Sequence, residues 1–467
     1  MAKKRALNIV PELERLEDRK LLDGTVTLVI AGDTLKIVGD RYNNDIIVRG
    51  PDQNGAYSVV SGNSQTTIVG DSSKAVKNIS FKMGDGDDSV TIENLTLAGN
   101  LTIDGGKGLN TEALNHATLQ SKLAISNAKS GTITATASSI QSDFIVRNGS
   151  STSTDTVTLD GTTVGGQLKI TSGNGPTQVD LINSSTVMGK IILRSGTGAD
   201  TLSLGDGVSI GGLDINNGSG DSILTIGQAV TVNGAVRVVN GNGYDNVAFG
   251  DNSIFASSVY VSNGSGGSLT DLGLGVQFGA DLSLLSGKGY DEIQGKGGHV
   301  LGKALISLGS GGSLVNSDQL LVEQNLKLVS TGGADQVVMT RTHVTGNETI
   351  TTGDGADSVQ TDDGAVDGTT TINTGAGNDT ISMDANDVYG TESHYRLAVK
   401  VNAGAGSDVM YVGGDTTNNG NIFVSMATFV GGAGNDRIEV GSENTVEYDI
   451  KTMAEVVLEP TLTPIPV

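Results

Sequence analysis

The sequence predicts an all-β, single-stranded parallel β-helix: a solenoid with three short strands in each rung of 22–23 residues. Three observations carry this reading. A glycine-rich turn recurs in fixed register, alternating apolar residues flank it on both sides, and the composition is too poor in rings for a large globular core. Aromatic residues are 3% of the 467-residue chain and Gly contributes 68 positions, which favours many tight turns joining short strands. Val, Ile, Leu and Thr remain plentiful, so a disordered glycine-rich tail is excluded.

The turn reads small-x-small-x-Asp, or a small polar residue in place of Asp. It begins at Gly62, Gly84, Gly106, Ala128, Ser151, Gly173, Gly196, Gly218, Gly241, Gly264, Gly287, Gly309, Thr331, Gly353 and Gly375, always 22 or 23 residues apart. Gly404 and Gly432 follow at steps of 29 and 28, which places loop insertions near 384–395 and 413–421. Before each turn stands an alternating pair such as Leu168/Ile170 or Leu326/Leu328. Another pair follows it, such as Val90/Ile92 or Leu202/Leu204, and a short apolar segment such as Val230–Val232 ends the unit. Period-2 runs bounded by Gly and Asn are strands. Rungs of equal length stack their strands in parallel, so Val, Ile and Leu form continuous ladders and no rung needs a core of its own. About 18 rungs over residues 24–450, at roughly 4.8 Å each, give a rod of about 85 Å. The crossover rule makes it right-handed.

Two glycines at alternate positions suit a backbone that takes positive φ twice, and they leave carbonyl oxygens uncovered. The Asp two residues later adds a carboxylate. Oxygen donors without nitrogen or sulfur are what hard cations prefer, calcium above all. Val430–Val440, VGGAGNDRIEV, carries Gly431, Gly432, Gly434, Asp436 and Ile438 in the pattern G-G-x-G-x-D-x-U-x, with U apolar. In this the chain resembles the RTX or haemolysin-type calcium-binding repeat proteins. The resemblance implies calcium between adjacent rungs, held by glycine-region carbonyls and Asp carboxylates. The implied ligand positions are Asp335; Gly353, Gly355 and Asp357; Gly375, Gly377 and Asp379; Gly404, Gly406 and Asp408; Gly432, Gly434 and Asp436. Weaker matches centre on Asp88, Asp200, Asp245 and Asp291. The family places two nine-residue units in each 18-residue rung, whereas this chain has one such turn per 22–23 residues, so calcium would line a single edge.

Within the series, Asp155, Thr177, Asp200, Ser222, Asp245, Ser268, Asp291, Ser313 and Asp335 alternate charged with neutral, while Asp335, Asp357, Asp379, Asp408 and Asp436 are consecutive. Carboxylates one rung apart repel by about 3–4 kcal/mol at an effective dielectric of about 20. At two rungs, about 10 Å, salt screens most of this. The alternating half is therefore expected to stack without an ion, and the consecutive run to gain from a bridging cation, first between the Asp335, Asp357 and Asp379 turns. The competing structural reading is that Asp closes the turn by accepting backbone N–H bonds.

Residues 1–23 begin MAKKRALNIV, a basic start without the roughly 7–15-residue apolar core of an ordinary secretory signal. Leu16, Glu17, Arg19, Leu21 and Leu22 supply an L-E-x-R-x-L-L signature that resembles the leader of planctomycete-type exported surface proteins. The alternative role for this segment is a charged cap on the solenoid, with Leu13, Leu16 and Leu21 over its open end. Residues 451–467, with their proline-punctuated ending, read as an extended tail or the start of an anchor.

A formal net charge of −23 excludes phosphate recognition by a basic face, and with it a nucleic-acid partner. The absence of cysteine removes disulfides, thiolate catalysis and Cys-based zinc sites. No apolar run approaches the length of a membrane span. The glycine turns lack the Gly-Lys-Ser/Thr of a phosphate loop and open strands, not helices. His116, His299, His343 and His394 are scattered without metal spacing. The function expected is a non-enzymatic, exported calcium-binding structural or adhesive rod at the cell surface, whose partners are calcium ions and surface polysaccharide or other surface proteins. The alternative is a carbohydrate-active β-helix enzyme such as a polysaccharide lyase, with Arg396 in a groove of carboxylates.

Overall fold

The computed structural model describes residues 24–385, 391–414, 420–446, 450–454, 456–458 and 463–464. The leader or capping segment 1–23, parts of both loop insertions and residues 455, 459–462 and 465–467 of the tail lie outside the described residues. Within them the chain is all-β, with no helix, and its parallel strands stack as a solenoid of about 16 turns. The sequence register predicts about 18 rungs, but the first strands do not form complete coils. Thr25–Ala31 pairs antiparallel with Thr34–Val38, and Asp45–Gly50 pairs antiparallel with Ser58–Ser61, so the stack opens on two hairpins.

One rung shows the plan. Leu326–Val329 leads into the glycine turn, Asp335–Thr340 leaves it, and the two-residue strand His343–Val344 completes the coil. One rung along, Glu348–Thr351, Ser358–Asp362 and Ala365–Val366 pair with these three segments in parallel and in register. Three ladders result, here called the first, second and third in chain order. Period-2 alternation turns every other side chain inward. In the first ladder Val236, Val259 and Leu282 share an inward column, and in the second Leu224 and Val247 do, all nearly free of solvent exposure.

The few rings pack along the axis. Phe255 stacks on Phe278 at 5.4 Å, its register partner one rung along, and Phe249 meets both edge-on at 5.2 and 5.7 Å. The corner between the second and third ladders has its own requirement. Left-handed residues recur there, among them His116, Ala137, Asn183 and Ser184, Ala229, Asn252, Gln319 and Arg341, with φ between 46° and 58°. The two insertions follow Met383 and Val412, at this same corner, and leave the three ladders in register.

Candidate metal-binding corner

The acidic turns stand in file. Strand pairing puts Asp155, Thr177, Asp200, Ser222, Asp245, Ser268, Asp291, Ser313 and Asp335 in one column. The pairing immediately beside them continues the column through Asp357, Asp379, Asp408 and Asp436. The side chains face inward and are not an exposed ridge: each of these aspartates, and Asp88, is 0–3% exposed. Burial of an acid demands partners, and the two halves of the column find them differently.

In the consecutive run, the backbone N–H of each Asp donates to the carboxylate one rung further on. Asp335 N donates to Asp357 Oδ1 at 2.9 Å, Asp357 N to Asp379 Oδ1 at 2.9 Å, Asp379 N to Asp408 Oδ1 at 2.8 Å and Asp408 N to Asp436 Oδ1 at 3.1 Å. The side chain thus supplies the acceptor that the turning backbone withholds. In the alternating half a hydroxyl takes part: Ser268 Oγ donates to Asp291 Oδ1 at 2.8 Å, Ser313 Oγ to Asp335 Oδ1 at 2.5 Å and Ser195 Oγ to Asp200 Oδ2 at 2.5 Å. Ser268 and Ser313, each between two aspartates of the column, are thus donors between acceptors, whereas the Thr177 and Ser222 hydroxyls are buried without a hydrogen bond.

What is left over differs in consequence. Oδ2 of Asp335, Asp357, Asp379 and Asp408 is buried with no hydrogen-bond partner in four successive rungs. Desolvation pushes the Asp357 carboxyl up to about 6, and its neighbours Asp335 and Asp379 push it the same way. Asp408 is raised by desolvation and then by Asp379 and Asp436. Single orphaned oxygens also occur at Asp88, Asp200, Asp245 and Asp291, with Asp88 and Asp245 both raised to about 6, chiefly by desolvation. In the alternating half, however, a neutral residue separates one acid from the next.

The glycines divide in the same way. Gly353, Gly375, Gly404 and Gly432 have φ of 91°, 99°, 107° and 109°, and Gly377, Gly406 and Gly434 have φ of 147°, 152° and 144°. Such angles strongly favour glycine. The turn glycines from Gly173 to Gly287 do not take positive φ, save Gly267, so the alternating half closes its corner by another backbone path. Close axial approach is common to both halves: a Cβ on Gly404 would lie 1.8 Å from Gly375 O, and one on Gly264 would lie 1.1 Å from Gly241 O. Carboxylate oxygens without nitrogen or sulfur are the donor type a hard divalent cation takes, but among the described residues no group of three or more acidic or histidine side chains converges to hold one. An ion between rungs would draw on Asp335, Asp357, Asp379 and Asp408.

Other buried acids escape the repeat pattern. Glu348 sits in the first-ladder column between Leu326 and Thr370, 3% exposed, and desolvation lifts its carboxyl to about 7. Glu112, 1% exposed, is lifted to about 8 by burial, partly offset by a hydrogen bond from Asn127. Each interrupts an inward apolar column, and that break in alternation is the signal by which the sequence betrays them. Arg396 lies outside, its side chain 68% exposed and paired with Asp367 at 3.1 Å. His343 Nε2 lies 3.4 Å from the same carboxylate.

Fold and corner together define a class: a parallel β-solenoid with a buried file of acids along one edge. No family model, curated protein or solved structure matches the chain. Among the described residues no helix is long and apolar enough to cross a membrane.

Proposed function

We propose that the chain is a non-enzymatic structural rod, exported to the cell surface, whose later rungs are locked by calcium. The observation that carries this reading is the run of four successive buried carboxylate oxygens without a partner at Asp335, Asp357, Asp379 and Asp408. Neutralising such a file takes either protons or a cation, and at neutral pH a cation between rungs relieves both the desolvation and the mutual repulsion. The leader resemblance at Leu16, Glu17, Arg19, Leu21 and Leu22 supports export.

The test is thermal melting across a calcium titration, with magnesium as control, on the wild type, Asp357→Asn and Asp200→Asn. Calcium at 100 times its Kd would stabilise the folded rod by about 2.7 kcal/mol. The wild type and Asp200→Asn are expected to melt higher with calcium and not with magnesium. Asp357→Asn keeps the Oδ1 acceptor and loses a charge, so it should melt higher than wild type in chelator and respond little to calcium. An unchanged calcium response in Asp357→Asn would overturn the assignment.

A further inference from the structure

Along the second ladder the inward column Phe249, Leu272, Gly295, Ser317, Met339 loses its bulk at Gly295 and Ser317. The surface sinks there into an open groove of about 300 Å³, at the lower end of the size of ligand clefts. Leu272 and Leu274 line it, the latter 54% exposed. Above them Asp271, Gln294 and Asn316 stand outward in register, one in each of three successive rungs. Lys296 and Asp318 form the rim, and Asp318 is fixed by a two-nitrogen contact from Arg341 at 2.5–2.9 Å. At the opposite edge of the same rungs, Tyr244 and Tyr290 are 50% and 56% exposed, with Gly267 between them in the file.

From this we infer that the groove binds a neutral polysaccharide, its chain lying along the rod axis. Carboxamides and a carboxylate repeated at about 4.8 Å per rung match a polymer of hydroxylated units. Apolar side chains beside such groups accept the carbon face of a sugar ring. Asp251, Asp271 and Asp318 around the groove, on a chain of net charge −23, disfavour uronate-rich polymers. The inference rests on the reading of the chain as a non-enzymatic surface rod, since it supplies that rod with its partner, but it needs no calcium.

The experiment is affinity electrophoresis of the full chain in gels containing soluble β-glucan, xylan or polygalacturonate, with calcium or with chelator. At least one neutral polymer is expected to retard the wild type equally under both conditions, and the Gln294→Ala/Asn316→Ala variant, altered only at exposed side chains, is expected to lose that retardation. Retardation by polygalacturonate alone, by no polymer, or undiminished in the double variant would overturn the site. A retarding polymer that is also cleaved, read as lost viscosity, keeps the groove as the sugar site and overturns the non-enzymatic rod. A calcium response that fails while retardation persists overturns the calcium reading alone.

Discussion

At Gly377 the chain takes φ of +147°, and an added Cβ would stand 1.4 Å from the Gly355 carbonyl oxygen. Neither the backbone angle nor the neighbouring rung leaves space for a side chain. Gly377→Ala should therefore cost about 3 kcal/mol or more, combining left-handed strain with a displaced rung; chemical denaturation checks this, and a loss below about 1 kcal/mol would contradict the packing. Glu348 makes a second prediction. Burial raises its carboxyl to about 7 in the folded chain, against 4.5 in a free one. A raised acid pKa means that stability is fully present below about pH 4.5 and is lost as pH rises through 7, by up to about 3 kcal/mol. Asp88, Asp245, Asp357, Asp384 and Glu112 shift in the same direction. The diagnostic quantity is thus the difference between wild type and Glu348→Gln in chelator. The variant should gain on the wild type between pH 5 and pH 8, and parallel melting curves across that window would refute the buried-charge account.

At the scale of the corner, one device recurs with different chemistry. Where the chain turns, the N–H of one rung is accepted by a buried side-chain oxygen of the next. At the glycine turn the acceptor is Asp. At the corner after the second ladder it is a hydroxyl: Ala117 N donates to Ser138 Oγ at 3.0 Å, Thr162 N to Ser185 Oγ at 3.1 Å and Val230 N to Ser253 Oγ at 3.1 Å. Ser268 combines the two roles of spacing and donating, so Ser268→Ala should cost about 1–3 kcal/mol by stripping Asp291 of a buried donor. A stability unchanged by that substitution would show the hydroxyl to be a spacer only. The glycine turn was legible because Gly and Asp repeat at fixed offsets and carry their backbone and charge requirements openly. The second corner was not, because its left-handed position is filled by His116, Ala137, Ala229, Gln319 and Arg341 as well as by Asn and Gly. There the stacking of neighbouring rungs overrides local preference, and no residue type marks the spot. The inward direction of the aspartates was legible by parity: Asp200 stands two and four residues before Leu202 and Leu204, so period-2 alternation turns all three to one face.

For the whole molecule, fixed register makes the rod close to one-dimensional, each rung touching mainly the rung before and the rung after. Two zones follow from the column of acids. In the alternating zone a neutral residue separates one acid from the next and Ser268 and Ser313 donate to the acids beyond them, whereas the consecutive zone from Asp335 onward carries orphaned oxygens in adjacent rungs. Under the proposed function, hydrogen exchange in chelator should quicken beyond Asp335 and leave Asp155 to Asp291 protected; uniform quickening would argue against two zones.

The same ladders have a mechanical consequence. Their hydrogen bonds run along the rod, so tension applied between its ends loads them one row at a time. Each row that gives way pays out 22–23 residues, about 75 Å of slack at about 3.4 Å per residue, in exchange for a single rung's height. A pulled filament of this kind lengthens in even, sawtooth steps, and its neighbours stay folded while it absorbs the load; force spectroscopy would register that spacing directly.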